Sequence, residues 1–430
     1  MKITKQEEPF ILFFSLFILL SFIIGFILNE NSAGAGGTNG DFSLIWNNLQ
    51  LFKDSIFDNL DSSEYSDSRT PLIYIFHVLF NPFIETQYQF RLSVFFISLL
   101  CPFVFYFILK EKYNNTNRYL IVFISSLILL SPYFRTTAYW GLGENYAILF
   151  VLISYFLFKK RNFVNITLKN KKIINLFLLA ASSSLCVYFD QKLLIIPLII
   201  FTSIIFNKNI NNKIKILLAF FYFFFSIPFL YLIFLWKGIL PPEALSAREV
   251  GTKFNIFNIG YASTIISFYF FPFLLIQKKK FFNIFLNFFR KENSIYFIMF
   301  AIYLLLIIFN SNFSDVGSQG NGVVHKFTSL FLKNINLQFI FTIFSFFISW
   351  IIINIFLEKK IIEKIIIYYF LIISYFIYPI YQEYFDPIIL ILIFTFFQIK
   401  IIINFKNILF LSFYLLIFLT ISIFYYTKII

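Results

Sequence analysis

Few side chains in this sequence can do acid–base or charge chemistry, and most of those sit in short polar breaks between apolar runs. Asp41 ends the segment Asn31-Ser-Ala-Gly-Ala-Gly-Gly-Thr-Asn-Gly-Asp41, whose glycines allow tight turns. Its simplest role is the N-cap of a helix that follows. Glu144 opens an apolar run, where an ionised group needs a partner or a task; the partner would be Arg135 in the same polar break. Asp190-Gln-Lys192 reads as a turn with a local ion pair or as part of a site. Arg248, His325 and Lys326 are cations able to meet a phosphate. Tyr378-Pro-Ile-Tyr-Gln-Glu383-Tyr-Phe-Asp386-Pro sets two carboxylates in one tight turn, either solvated or reactive.

Several chemistries are disfavoured by what the sequence lacks. It has two histidines, His77 and His325, and no H-E-x-x-H, G-x-x-x-x-G-K-[ST] or G-x-G-x-x-G pattern. That argues against a metalloprotease, an ATP-driven pump and a Rossmann enzyme. Cys101 and Cys186 lie inside apolar runs without a spacing motif and read as small core residues.

The elements that must position these groups are membrane helices. The chain is 60% hydrophobic and 13% charged, against about 25% charged in a soluble domain. Its apolar runs approach the ~20 residues that cross a ~30 Å hydrocarbon layer as a helix, the form that satisfies its own backbone in lipid. Thirteen crossings are expected, at 9–28, 91–110, 118–134, 142–158, 173–188, 191–206, 214–236, 256–276, 295–309, 335–357, 365–381, 387–404 and 408–426. The expected fold is therefore an all-α polytopic transmembrane bundle, with 1–430 as one integral membrane domain. The first run is too long for a cleaved signal peptide despite Ser32-Ala-Gly-Ala35 after it.

Charge supports this threading. With the N-terminus in the cytoplasm, one side collects 24 basic and 6 acidic residues and the other 11 basic and 15 acidic, nets of +18 and −4 that give the formal +14. Lysine and arginine are retained on the inner face, so the positive charge is explained by orientation and anionic lipid, with no nucleic-acid partner. The outer face carries one long loop, 29–90. Phe42, Ile45, Trp46, Leu49, Phe52, Ile56 and Phe57 recur there at helical spacing, predicting an interfacial helix over 42–60 with Asp54 and Asp58 toward water. A second apolar stretch, 70–83, lies between Pro71 and Pro82 and is too short to cross.

The layout resembles the glycosyltransferase C superfamily of polytopic enzymes. The resemblance rests on Asp41 in the first outer loop, the interfacial helix after it, Arg69-Thr-Pro-Leu-Ile-Tyr, the second outer turn with Glu144, and Gln382-Glu-Tyr-Phe-Asp-Pro. It implies transfer of a sugar from a polyprenyl-phosphate donor to a lipid, glycan or protein acceptor, at the extracytoplasmic face of a bacterial inner membrane. By that likeness Asp41 is the base, Arg69, Arg135 and Arg248 stabilise the leaving phosphate, and Glu144 orients the acceptor or holds Arg135. Asp190, His325, Lys326, Glu383 and Asp386 complete the candidate substrate contacts. A divalent cation on Asp41 or Glu144 is allowed but not required. The competing readings are a transporter or flippase of lipid-linked saccharides, or an O-antigen-type polymerase or ligase. Against transport, ionisable residues are nearly absent at mid-depth in the crossings.

Overall fold

The computed structural model of the protein describes residues 7–34, 40–160, 170–241, 255–276, 294–310, 320–357, 360–377, 380–398 and 401–427. Every regular element among them is helical. This is a membrane-embedded protein. Among the described residues, six helices are long and apolar enough to span: Glu7–Ile27, Gln87–Lys112, Asn212–Trp236, Phe257–Ile276, Ile335–Phe356 and Phe405–Tyr426. A bent pair, Arg118–Leu130 with Pro132–Trp140, adds a seventh if counted as one span.

Among the described residues, six or seven helices have the length of a full crossing, against the thirteen expected. Part of the difference has local causes. The expected crossing at 118–134 turns by 70° where Pro132 starts a new helix. The one at 191–206 opens with a tight 3-10 turn, so its α-helical part is only Ile195–Ile205. The one at 387–404 shows α-helix, among its described residues, over Ile388–Phe394, about 10 Å at 1.5 Å per residue.

The described chain divides into two compact units, 1–248 with 415–430, and 249–414. In the first unit, α1 (Glu7–Ile27) packs on α6 (Arg118–Ser126) and α7 (Pro132–Trp140). Further along, α8 (Glu144–Lys160) packs on α9 (Asn170–Phe189), and α9 on α11 (Asn212–Trp236). Phe22 and Phe26 of α1 stack on Phe95, with ring centroids 5.2 and 4.6 Å apart. In contrast, Phe220, Phe223, Phe224, Tyr231 and Phe234 of α11 are exposed, as a lipid-facing surface requires. In the second unit, the helix Phe257–Ile276 is largely buried against Ile335–Phe356, Ile361–Ser374 and Gly322–Phe331.

The long loop folds onto the first unit. Helix α2 is Asp41–Asp54, shorter than the predicted 42–60. Gly40 occupies the cap and Asp41 is the first helical residue, with no side-chain capping bond, so the expected N-cap role of Asp41 does not hold. The helix stops where Ser55 becomes extended, and Asn59 ties off the end by donating to the Leu51 and Ser55 carbonyls. Its apolar stripe, Phe42, Ile45, Leu49 and Phe52, is buried. Phe52 stacks on Tyr74 and Phe42 meets Trp140 edge-on, so protein covers the stripe rather than lipid. Asp54 and Asp58 are exposed as expected. Helix α3, Leu72–Phe80, runs between Pro71 and Asn81-Pro82. At about 14 Å it is too short to cross.

Candidate functional site

Three pieces of the first unit converge on one cluster of charge: the strap 65–70 before α3, the start of α7, and the first turn of α8. The Arg69 guanidinium bonds Glu144 Oε1 through Nη2, while its Nη1 lies 3.9 Å from Asp67 Oδ1. Tyr133 donates its hydroxyl to Glu144 Oε1 at 2.5 Å. Asp67 accepts the Arg69 backbone N–H at 3.1 Å and the Tyr74 hydroxyl at 2.6 Å. Tyr65 in turn donates to the Arg69 carbonyl at 2.6 Å. The strap is thereby held at its backbone as well as at its side chains. Thr70 anchors its far end on the Tyr188 carbonyl.

Local sequence explains the approach of α8. Gly141 ends α7 in the left-handed region, φ +73, where a Cβ would strike Phe90. Gly143 then passes Ile73 so closely that a Cβ would sit 3.3 Å from its Cδ1. Glu144 follows as the first residue of α8, at the helix end whose free N–H groups favour an anion. Its Oε1 is doubly engaged, but Oε2 is buried with no hydrogen-bond partner, a state rare enough to require a reason.

The electrostatics keep Arg69 charged. Burial works to lower the Arg69 pKa, but Glu144 and Asp67 outweigh it and hold the guanidinium above its ordinary value. Burial first, and Asp67 second, push the Tyr65 and Tyr74 phenols well up, so Tyr74 remains a donor. Arg69 keeps a quarter of its side chain exposed, whereas Asp67 and Glu144 keep 3% and 5%. Arg69 and Asp67 also wall a cavity of about 10 Å³ with Thr70, Tyr74, Ile45 and Phe189, space for about one water.

No family model, no curated protein and no solved structure matches the chain. The chemistry of the site therefore rests on its own geometry.

Of the residues singled out in the sequence, Arg69 and Glu144 meet directly. Asp190 acts on Arg69 through space; it also caps the turn Gln191–Leu194 and pairs with Lys192 at 3.3 Å, as its local reading predicts. Asp41 is exposed in the first turn of α2 and does not line the cavity. Arg248 lies outside the described residues. His325, Lys326, Glu383 and Asp386 belong to the second unit. There His325 sits edge-on to Tyr261 at 5.0 Å, burial lowers the Lys326 ammonium against the pull of Glu383, and Asp386 is buried.

Arg135 is used elsewhere, and the expected Arg135–Glu144 pair is not formed. Arg135 instead forks onto Glu30, Nε to Oε1 at 2.7 Å and Nη2 to Oε2 at 2.6 Å. Its other N–H groups reach Ser21 and the Leu129 carbonyl. All five donors are taken, which leaves none for a phosphate. The residues missed in the sequence are Asp67 and Tyr133. The Asp67-Ser-Arg69 spacing was the available signal for the first; nothing local marks the second.

A divalent cation fits poorly at Glu144. Among the described residues, no three acids, histidines or cysteines converge on one point, and Arg69 already supplies the positive charge between Asp67 and Glu144.

One neighbouring group gives a direct pH test. His77 of α3 is buried; Asn81 Nδ2 donates to its Nδ1 at 2.8 Å, so Nε2–H donates to Tyr146 at 2.7 Å. Burial pushes its pKa from 6.5 down to about 3. A depressed folded pKa means the unfolded chain binds the proton first. The stability contribution is complete above pH 6.5 and is lost as pH falls toward 3. Between pH 6.5 and 5 the loss is about 2 kcal/mol. Thermal unfolding in detergent at both pH values is expected to show it, and His77→Gln to flatten that part of the profile. An equal drop in the variant would remove His77 as the cause.

Proposed function

We propose that the chain is a membrane glycosyltransferase with the layout of the glycosyltransferase C superfamily. It moves a sugar from a polyprenyl-phosphate donor to a lipid, glycan or protein acceptor at the extracytoplasmic face of a bacterial inner membrane. The reading includes about thirteen crossings with the N-terminus in the cytoplasm, some made by the shorter and bent helices. One observation carries it: Arg69 is held between Asp67 and Glu144 on the first outer loop, part-exposed, beside a buried Glu144 oxygen without a partner.

Each part answers a requirement of the reaction. The acceptor O–H gives its proton to Glu144 Oε2 as its oxygen bonds the anomeric carbon. The bond from that carbon to the phosphate oxygen breaks, and the lipid phosphate leaves with the electron pair. Arg69 offers forked donors to the growing negative charge. Asp67 and Tyr133 position these two groups, Asp67 by gripping the strap and Tyr133 by fixing Glu144 Oε1. Apolar helix faces bordering the unit supply a path for the lipid tail. In this reading Glu144, rather than the exposed Asp41, is the base.

The test uses membrane vesicles supplied with a labelled polyprenyl-phosphate sugar. Glu144→Gln is expected to lower transfer by about 10²–10⁴-fold, the usual worth of a general base, and Asp41→Asn to leave it near wild type. Loss of transfer in Asp41→Asn alone would return the base to Asp41. Passage of the label across the bilayer without covalent product would replace the enzyme by a flippase.

A further inference from the structure

Beside the charged cluster lies an open recess of about 310 Å³. Its polar wall is Ser43, Asn47 and Asn48 of α2, with Glu64 just before the strap and Ser66 in it. Leu44 and Leu51 provide the apolar part. Asn48 is 1% exposed and links this wall to the candidate site: its Nδ2 donates to the Tyr74 hydroxyl at 3.4 Å, and that hydroxyl donates to Asp67 at 2.6 Å. Recess and charged cluster thus share the strap and one hydrogen-bond chain.

The chemistry of the lining is selective. Two amides, two hydroxyls and one carboxylate offer both donors and acceptors, suited to vicinal hydroxyl groups. Among the described residues no arginine, lysine or histidine lines it, so there a phosphate or carboxylate ligand would meet Glu64. The volume is at the small end of ligand pockets, enough for one sugar ring and too polar for an acyl tail. We infer that this recess is a subsite for a neutral sugar ring, the ring nearest the acceptor hydroxyl of a glycan or glycolipid. The inference rests on the transferase reading for its place in the reaction, but the binding itself does not.

Saturation-transfer NMR on the full chain in nanodiscs tests it, with methyl β-glucoside, methyl β-galactoside and N-acetylglucosamine as probes and glucuronate as the anionic control. At least one neutral probe is expected to bind and glucuronate not to. Asn47→Ala and Glu64→Gln change exposed residues, so the fold is kept, and each is expected to weaken binding by about tenfold. Absence of binding, or equal binding by the variants, overturns the subsite, as does preference for glucuronate. The two readings fail separately. Glycoside binding lost in these variants, with no transfer by any form of the protein, leaves the subsite standing and removes the transferase. Transfer abolished by Glu144→Gln, with no effect of Asn47→Ala or Glu64→Gln on binding, does the reverse.

Discussion

Arg69→Met is expected to destabilise the first unit by about 3–5 kcal/mol, the range for breaking a buried ion pair from one side. Methionine fills similar volume, so the loss comes from charge rather than from a cavity. Glu144 and Asp67 would be left nearly buried, with Tyr133 and Tyr74 still donating to them but no cation between them. Adding Glu144→Gln to Arg69→Met should recover much of the loss, since the amide keeps an acceptor for Tyr133 and carries no charge. Thermal unfolding of the four forms in detergent measures the coupling. Additive losses would mean that Arg69 and Glu144 do not act as a pair.

The parts of this architecture legible in the sequence are those set by unbroken apolar length. Runs at 9–28, 214–236, 256–276, 335–357 and 408–426 match helices Glu7–Ile27, Asn212–Trp236, Phe257–Ile276, Ile335–Phe356 and Phe405–Tyr426 within a few residues, because polar side chains end each run on both sides. The short helix between Pro71 and Pro82 was visible for the same reason. Angles were not. Ser131-Pro132 supplies both a cap, Ser131 Oγ accepting the Phe134 N–H, and a proline at the first helical turn, yet apolar periodicity says nothing of the 70° bend they produce. That bend also decides partners. Arg135 and Glu144 are near in sequence, but α7 directs Arg135 to Glu30, 105 positions away, while Glu144 starts the next helix facing the strap. Asp41 drew notice through its glycine-rich approach, whereas the acid beside Arg69 is Asp67. Tyr133 had no signature at all, since a tyrosine beside a membrane interface is ordinary.

Gly25→Ala is expected to be among the most damaging small substitutions in the first unit. A Cβ at Gly25 would stand 2.6 Å from each of Arg135 Nη2, Glu30 Oε2 and the Tyr139 hydroxyl. None of the three can yield cheaply. The first two are bonded to each other, and Tyr139 donates to the Phe22 carbonyl at 2.6 Å. Arg135 is 2% exposed and Glu30 11%, so pushing them apart leaves a buried charge on each side. Overpacking alone costs about 1–3 kcal/mol; forcing open the pair raises the expected loss toward the about 3–5 kcal/mol of a broken buried bridge. Glu30→Gln should fall in the same range, because it strips charge from a site where Arg135 has no other carboxylate partner among the described residues. Combining Gly25→Ala with Glu30→Gln is expected to cost much less than the sum, and a strictly additive pair would show that the methyl group acts elsewhere. The clasp also bears on the candidate site, since α7 carries both Arg135 and Tyr133. Loosening α7 from α1 frees the tyrosine that orients Glu144. Glu30→Gln, assayed at a temperature where it remains folded, should therefore lower transfer, while Lys53→Ala, which removes an exposed pair with Glu85, should not. Equal transfer in the two variants would separate the clasp from the site.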